Sequence, residues 1–148
     1  MNDTLPPTTH LTAHLDPSPV EIESAIIAGL RAFNAEHIPP SPPKPVAVFV
    51  RDETGVAIGG LEGVLRWGWL YVNHVWIPQS LRGTGVGSEL LERAEALARE
   101  HGCIGCYLDT FDFQALPFYL KHGYERFGTL EGFPTGSRRH YLFKRFDE

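Results

Sequence analysis

Long apolar runs and an excess of positive charge are both missing from this sequence of 148 residues. Its longest strongly apolar stretches are short pieces such as residues 46–50, whereas a membrane-spanning helix needs about 18 apolar residues. The 13 Lys and Arg residues are outnumbered by 18 Asp and Glu residues, which gives a formal charge of −5. This balance disfavours binding to nucleic-acid phosphates and mildly favours cationic small molecules. We therefore expect neither a membrane nor a nucleic acid as a partner.

Cysteine is also scarce, because the chain contains two, Cys103 and Cys106. Their C-x-x-C spacing is typical of redox and zinc sites. A complete zinc site needs further ligands, however, and the pair lies in an apolar run typical of a strand rather than at a helix start. The favoured interpretation is two buried, inert thiols and no metal site.

Signals for secretion and lipid attachment are not visible in the sequence either. Residues 1–7 lack the basic start and the apolar core of a signal peptide, and the C-terminus carries no lipid-attachment pattern. The resulting expectation is a cytoplasmic protein. Its length, with 43% apolar and 21% charged residues, predicts one domain over residues 1–148. Residues 1–17 are expected to be flexible or to supply an edge strand at residues 8–15.

The order of helix and strand patterns predicts a mixed sheet with helices on its faces. Ser18, Pro19 and Glu21 are typical of a helix start, so a helix is expected to run to about His37. An antiparallel meander of three strands follows, and then an amphipathic helix that ends at Gly102, a strand, a short helix and two further strands. The predicted strands are residues 46–51, 56–66, 69–77, 103–111, 124–127 and 141–146, and the short helix is 114–122.

The most informative segment is the glycine-rich run from Arg82 to Ser88, between a strand and the amphipathic helix. Gly83, Gly85 and Gly87 leave little side-chain bulk over the backbone amides. The helix begins immediately afterwards, and its free N–H groups and positive dipole end attract anions. With Arg82 as a charged donor, the segment suits a diphosphate. The alternative is a flexible turn that happens to precede a helix.

Two familiar phosphate-binding motifs do not fit this segment. A mononucleotide P-loop requires a lysine after its second glycine, and Val86 stands there instead. The dinucleotide fingerprint needs a different glycine spacing and an acidic residue on the next strand, which here begins with Cys103. Neither a P-loop enzyme nor a Rossmann dinucleotide site is therefore expected.

The segment from Arg82 to Gly87 resembles the Gln/Arg-x-x-Gly-x-Gly/Ala signature of the GNAT superfamily of N-acetyltransferases. Upstream, residues 75–77 are similar to the family's fourth strand. Downstream, residues 114–124 are similar to its Ala-x-x-Phe-Tyr-x-x-x-Gly-Phe/Tyr segment, and the resemblance spans about residues 46–146. It implies an α/β (α+β) fold whose mixed, mostly antiparallel sheet is splayed between the fourth and fifth strands and flanked by helices.

This resemblance implies acetyl-CoA as the co-substrate, with its pyrophosphate on the glycine loop and its pantetheine arm along the fourth strand. The implied cofactor-binding residues are Trp76, Ile77, Arg82, Gly83, Thr84, Gly85, Val86, Gly87, Ser88, Asp112 and Gln114. We expect a bulge to leave the backbone N–H of Ile77 free to polarise the acetyl carbonyl. Asp112 departs from the family pattern, because many relatives have there an asparagine that contacts the pantetheine arm.

The resemblance also implies direct attack of an amine on the thioester. Tyr119 is similar to the family's general acid, which donates a proton or a hydrogen bond to the departing thiolate. The alternative for Tyr119 is a buried helix aromatic. His74 is the candidate base, because the ordinary pKa of histidine lies close to neutral. An ordered water in place of a dedicated base stays open.

Strand alternation places His74 on the face opposite Tyr71 unless a bulge intervenes. Such bulges, or close approach of another group to the backbone, are predicted at three glycines of the neighbouring strand: Gly59, Gly60 and Gly63.

The predicted acceptor site contains Tyr71, Asp109 and Phe111, with Asp109 as a second candidate base or an amine anchor. Trp67 and Trp69 are candidates for the same pocket, although aromatic strand residues are more often core. Arg138 and Arg139 are interpreted as solvated charges. The expected acceptor is a primary amine of a small molecule or peptide. The resemblance implies a homodimer, since relatives are often dimers, but the sequence shows no interface. A noncatalytic acyl-CoA-binding sensor or scaffold is the alternative function.

Overall fold

A computed structural model describes residues 8–147, and the chain divides into two compact units, one ending at Pro40 and the other beginning at Ser41. The prediction of a single N-acetyltransferase domain over residues 1–148 stays a prediction. Among the helices of residues 8–147, none is long and apolar enough to cross a membrane.

The N-terminal unit contains one helical stretch, made of α1 (Pro19–Ile22), a π-helical segment (Glu23–Ile27) and α2 (Ala28–Ala35). The predicted start is confirmed, because the Ser18 hydroxyl accepts the backbone N–H of Glu21 at 3.4 Å and Pro19 occupies the first turn. The edge strand expected at residues 8–15 is wrong. Those eight residues have no regular structure. An alternating pattern of side chains is not enough for a strand, because the backbone N–H and C=O groups of a strand need hydrogen-bond partners in a neighbouring strand. The rest of that prediction, over residues 1–7, lies outside the described residues.

The second unit is built on a six-stranded sheet in the order β1-β2-β3-β4-β6-β5. Its strands are β1 (Lys44–Arg51), β2 (Ala57–Arg66), β3 (Trp69–Trp76), β4 (Gly105–Phe111), β5 (Glu125–Glu131) and β6 (Arg138–Arg145). The first three strands form the predicted antiparallel meander. β3 and β4 are the parallel pair, so the sheet is mixed and mostly antiparallel, as expected.

Two helices complete this unit: α3 (Val86–Glu100) and the short α4 (Leu116–Lys121). The apolar face of α3 packs on β1 through β4, with Leu90, Leu91 and Ala98 almost fully buried against the leucines of the sheet. Burial of this face supplies the main hydrophobic stabilisation of the unit. It also fixes the N-terminus of α3 at the edge of the sheet where β3 ends.

The parallel pair β3 and β4 separates partway along its length. Their pairing runs from Trp69 opposite Gly105 to Val72 opposite Leu108. Beyond these pairs, β3 continues beside β2 and β4 continues beside β6. The sheet is therefore splayed here, at the position predicted for the family's fourth and fifth strands, which are β3 and β4 of this chain.

Candidate active site

The glycine-rich run forms an open loop in front of α3. Gly83 and Gly85 have φ angles of +78° and +89°, in the left-handed region that favours glycine. A Cβ added at either residue would meet no described atom within 4 Å, so the space above the loop is open. Within residues 8–147, no side chain caps the N-terminus of α3, and its first N–H groups face this space. The loop is therefore shaped to accept an anion from outside the chain.

Arg82 connects this loop to the end of β3. Its Nε donates a hydrogen bond to the carbonyl oxygen of Ile77 at 3.0 Å, and its guanidinium carbon lies 5.2 Å from the centre of the Trp76 ring. The Thr84 hydroxyl donates to the carbonyl oxygen of Leu81. The structure thus brings together three predicted cofactor residues, Trp76, Ile77 and Arg82, on the side of the sheet gap where the loop begins.

The helix α4 packs directly on the start of α3. A Cβ added at Gly87 would lie 3.1 Å from the Ile77 side chain and 3.5 Å from the Phe118 ring, so this glycine permits close packing of β3, α3 and α4. One residue further on, the Ser88 hydroxyl lies 2.8 Å from Nε2 of His122. The predicted cofactor residues Gly87 and Ser88 therefore lie against Phe118 of α4 and His122 at the C-terminal end of this helix.

Tyr119 lies in α4 with 8% of its surface exposed, in edge-on contact with Phe118 and Tyr124. Burial raises the pKa of Tyr119 to about 12, and the nearby Cys106 and Asp109 add to this increase. Its hydroxyl group consequently stays protonated at neutral pH and can serve as a donor. Pro117 in the first turn of the helix removes no internal hydrogen bond, because that N–H has no helical partner.

A β-bulge changes which residues of β3 share a face. Glu62 pairs with His74, but the next residue of β2, Gly63, pairs with Val72, so Asn73 is the extra residue. The bulge places His74 on the same face as Tyr71, because their partners Glu62 and Val64 are two residues apart in β2. This is the exception to simple alternation that the sequence left open, and the register shifts at Gly63, one of the glycines where a bulge was predicted.

The bulge lies at Asn73 and not at Ile77, where it was expected. Ile77 instead follows the last residue of β3. The role of its N–H as the carbonyl donor stays a prediction. The three glycines of β2 do mark close backbone approach, as predicted: a Cβ at Gly59, Gly60 or Gly63 would collide with a backbone carbonyl oxygen of a neighbouring strand.

His74 has a partner that sequence patterns did not reveal. Its Nδ1 lies 2.6 Å from Oε1 of Glu62, across the β2–β3 pair, while most of the imidazole is exposed. A carboxylate accepts, so Nδ1 carries the hydrogen and neutral His74 presents Nε2 as an acceptor. This arrangement is suited to proton acceptance at Nε2.

Asp109 of β4 and Tyr71 of β3 are joined by a half-buried network. The Tyr71 hydroxyl donates to Oδ2 of Asp109 at 2.7 Å, and the guanidinium of Arg139 binds Oδ1 at 2.7 and 2.8 Å. Burial, followed by the bond to Asp109, raises the pKa of Tyr71 to about 12. Both carboxylate oxygens are engaged, so this geometry suits Asp109 to anchoring more than to proton transfer.

Phe111 belongs to an aromatic cluster at the end of β4. Its ring is parallel to that of Phe113, with 5.3 Å between centroids, and lies 5.6 Å from Phe133. Arg139 lies over both Phe111 and Phe133, at 5.3 and 4.8 Å from the ring centres. Phe113 is 68% exposed, which leaves an apolar, flat surface facing solvent.

Arg139 is not a solvated charge, which corrects the expectation for this residue, whereas Arg138 is exposed, as expected, and forms an ion pair at the surface. Arg139 pairs with Asp109, and the Nε of Arg138 donates to Oδ2 of Asp112 at 3.1 Å. The fully buried His140 binds the other oxygen of Asp112 at 2.6 Å. These bonds, the one from His140 first, hold the pKa of Asp112 below its usual value.

Gln114 is likewise engaged within the chain. Its Oε1 accepts the backbone N–H of Phe111 at 3.0 Å, which fixes the turn between β4 and α4. Asp112 lies in the same turn and is tied to β6. Direct contact of either side chain with a cofactor stays a prediction.

Three of the candidate aromatic residues line a cavity of about 430 Å³. They are Trp67, Trp69 and Tyr71, and Phe111 does not belong to this cavity. The other lining residues are Pro43, Val64, Arg66 and Tyr107.

Cys103 and Cys106 are buried, free thiols, as the sequence suggested. Burial raises the pKa of Cys106 to about 12 and also raises that of Cys103. Neutral thiols are poor nucleophiles and poor metal ligands. Within residues 8–147, no group of three or more His, Cys, Asp or Glu side chains is placed to hold a metal ion.

Sequence reasoning missed three partners: Glu62 of His74, Arg139 of Asp109 and His122 of Ser88. Each contact joins residues from different elements, between 12 and 34 positions apart. The available signal was the register of the β2–β3 hairpin for Glu62, but that register depends on the bulge. The other two contacts carry no local pattern.

The family and the three proteins that follow, to which this chain is similar, are all described as acetyltransferases. The model of the acetyltransferase (GNAT) family matches residues 14–124. An acetyltransferase of Agrobacterium fabrum is 35% identical over 131 residues, which cover 88% of this chain and 96% of the relative. Blasticidin-S acetyltransferase of Streptomyces morookaense is 43% identical over 99 residues, covering 66% and 73%. The crystal structure of an acetyltransferase from Bacillus cereus superposes with a TM-score of 0.82 at 33% identity, covering 91% of this chain and 98% of that one.

Proposed function

The chain belongs to the acetyltransferase (GNAT) family, and we propose that it transfers the acetyl group of acetyl-CoA to a primary amine of a small molecule or peptide. The observation that carries the proposal is the open glycine loop before the uncapped N-terminus of α3, supported by the helix that holds Tyr119. A nucleotide diphosphate matches the N–H groups and dipole of that terminus.

The loop meets the requirements of a coenzyme A site. Gly83 and Gly85 leave space in which a Cβ would meet no described atom, so phosphate oxygens have room to approach the backbone. Acetyl-CoA supplies an activated thioester, whose carbonyl carbon accepts the amine. The chain's own task is to hold both substrates, polarise the carbonyl and stabilise the departing thiolate.

Tyr119 is the donor for the departing thiolate. Its pKa of about 12 lies above that of an ordinary thiol, about 8.5, so complete proton transfer to the sulfur is unfavourable. A hydrogen bond from the phenol hydroxyl is instead the role that this environment favours. The backbone N–H of Ile77, just past the end of β3, is proposed to polarise the carbonyl.

His74 is the proposed base that receives the proton of the attacking amine. The 2.6 Å contact with Glu62 orients the ring and leaves Nε2 as the acceptor. Its exposure allows the proton to pass to solvent. An ordered water in this role predicts instead that loss of His74 has little effect.

The acceptor is proposed to bind on the face shared by Tyr71, Asp109 and Phe111. The Asp109–Arg139 pair and the stacked phenylalanines give this face both polar and flat apolar contacts. One relative is named for acetylation of blasticidin S, which supports a small molecule as the acceptor.

The test is release of free thiol from acetyl-CoA with a panel of acceptors, namely blasticidin S, other small primary amines and short peptides. We expect amine-dependent release and a product whose mass has increased by one acetyl group on nitrogen. Thiol release that no amine increases and that Tyr119→Phe leaves unchanged would instead support a noncatalytic acyl-CoA-binding module.

A further inference from the structure

His122 occupies a position between the cofactor loop and the helix of Tyr119. It ends α4, three residues after Tyr119, and both His122 and Ser88 are half-buried. The imidazole Nδ1 lies 2.8 Å from the carbonyl oxygen of Phe118, and Nε2 lies 2.8 Å from the Ser88 hydroxyl. The ring also packs on Phe118 at 4.3 Å between centroids. Its two nitrogens therefore bind two different elements.

These contacts determine where the hydrogens lie in the neutral ring. A carbonyl oxygen only accepts, so Nδ1 carries the hydrogen and donates it to Phe118. Nε2 is then an acceptor, and the Ser88 hydroxyl donates to it. The hydroxyl hydrogen of Ser88 is consequently directed away from the open space in front of α3. The backbone N–H of Ser88, at the third position of the helix, belongs to the first turn, whose N–H groups have no partner within the helix.

We infer that His122 is a positioning residue for coenzyme A: through Ser88 it fixes the N–H groups at the start of α3 relative to the helix that carries Tyr119. This inference rests on the proposed function. It concerns a residue whose described contacts are with Phe118 and Ser88, so its role is to act through Ser88 rather than to bind the cofactor. The close packing of Phe118 on Gly87 adds a second contact between the same two elements.

Two amide substitutions separate the contacts of the ring. In His122→Asn the side-chain amide reaches the position of Nδ1, so the bond to Phe118 is kept and the bond to Ser88 is lost. In His122→Gln the amide reaches the position of Nε2, so the bond to Ser88 is kept. Ser88→Ala removes the same bond from the other side.

The experiment measures the affinity of the full-length protein for coenzyme A by calorimetry, together with the KM for acetyl-CoA and for the acceptor amine. We expect His122→Asn and Ser88→Ala each to weaken coenzyme A binding about 10-fold, as loss of one hydrogen bond allows. The double variant should be no weaker than either single variant. His122→Gln should bind within about twofold of the wild type. The KM for the amine should not change, which separates positioning of the cofactor from general damage to the fold.

Wild-type affinity in His122→Asn, additive losses in the double variant, or equal losses in the Asn and Gln variants would overturn the inference while leaving the proposed function intact. A wild-type protein that does not bind coenzyme A would overturn both. Thermal unfolding of each variant identifies any that fail to fold. Ser88→Ala then provides the same test without a change in α4.

Discussion

The loop in front of α3 and the face of the sheet that carries Tyr71, His74 and Asp109 flank the same gap, but they are built from different groups. The loop offers backbone N–H groups, exposed because two glycines lack side chains. The face offers side chains that are held in pairs from separate parts of the chain, such as Asp109 with Arg139 and Asp112 with His140. We call the first region the cofactor side and the second the acceptor side.

This difference determines how each region responds to substitution. Every residue except proline has a backbone N–H, so the cofactor side tolerates most changes except those to proline and those that cover the amides or distort the loop. On the acceptor side, loss of one member of a pair leaves a polar or charged partner partly buried without compensation. The cofactor side is therefore suited to binding one ligand despite changes in its sequence. On the acceptor side, by contrast, a few substitutions are enough to change the binding surface.

The largest expected effect is loss of acetyl-CoA binding in Gly85→Glu. The substitution places bulk and negative charge where the phosphates are proposed to bind. A residue other than glycine in this left-handed conformation costs about 1–2 kcal/mol, which a folded protein can tolerate because the space is open. We expect affinity to fall by at least about 100-fold in calorimetry. Gly85→Gln is the matched control, with equal bulk and strain but no charge, and should lose clearly less. Unchanged affinity in Gly85→Glu would show that the phosphates bind elsewhere.

Tyr119→Phe tests the proposed catalytic group of the cofactor side. The ring keeps its contacts with Phe118 and Tyr124, so the fold and the affinity for acetyl-CoA should be retained. Loss of the hydroxyl should lower kcat by about 100-fold, because the thiolate then departs without a donor. With its pKa raised to about 12, Tyr119 should add no alkaline limb to the pH profile below about pH 11. A kcat equal to that of the wild type would show that Tyr119 is a buried core aromatic residue and not a donor to the thiolate.

His74→Ala and Glu62→Gln test the pair of side chains that His74 and Glu62 form on the acceptor side. Removal of the base should lower kcat/KM about 100-fold, and loss of the carboxylate that orients it should lower it about 10-fold. The value of kcat/KM for each variant, measured beside the wild type, is the test. If neither variant changes it, an ordered water is the proton acceptor.

Local patterns predicted the cofactor side well. The strand end, the glycine loop, α3 and the Tyr119 helix follow one another within 45 residues, and each is specified by its own periodicity or by glycine. The predicted bounds of α4 were two residues too long at its start, since residues 114 and 115 form the turn that Gln114 stabilises.

The acceptor side was much harder to predict, because its contacts depend on register. One extra residue at Asn73 moved His74 to the other face, and no residue type in β3 marks that position. Arg139 looked like a surface charge until the antiparallel pairing of β4 with β6 brought it beside Asp109. Pairing between distant strands is decided by the packing of the whole sheet, which a single sequence does not display.

The smallest expected effect concerns the two cysteines, Cys106 in β4 and Cys103 just before it, whose buried thiols belong to neither side. The double substitution Cys103→Ala and Cys106→Ala should leave coenzyme A affinity and kcat within about twofold, because neutral buried thiols have no role in transfer. It should still lower stability in urea by about 1 kcal/mol, since Cys106 is completely buried and its loss leaves a small cavity. Loss of activity in a variant that folds and binds coenzyme A would favour thiol chemistry. A reacting group would then lie outside both the cofactor side and the acceptor side.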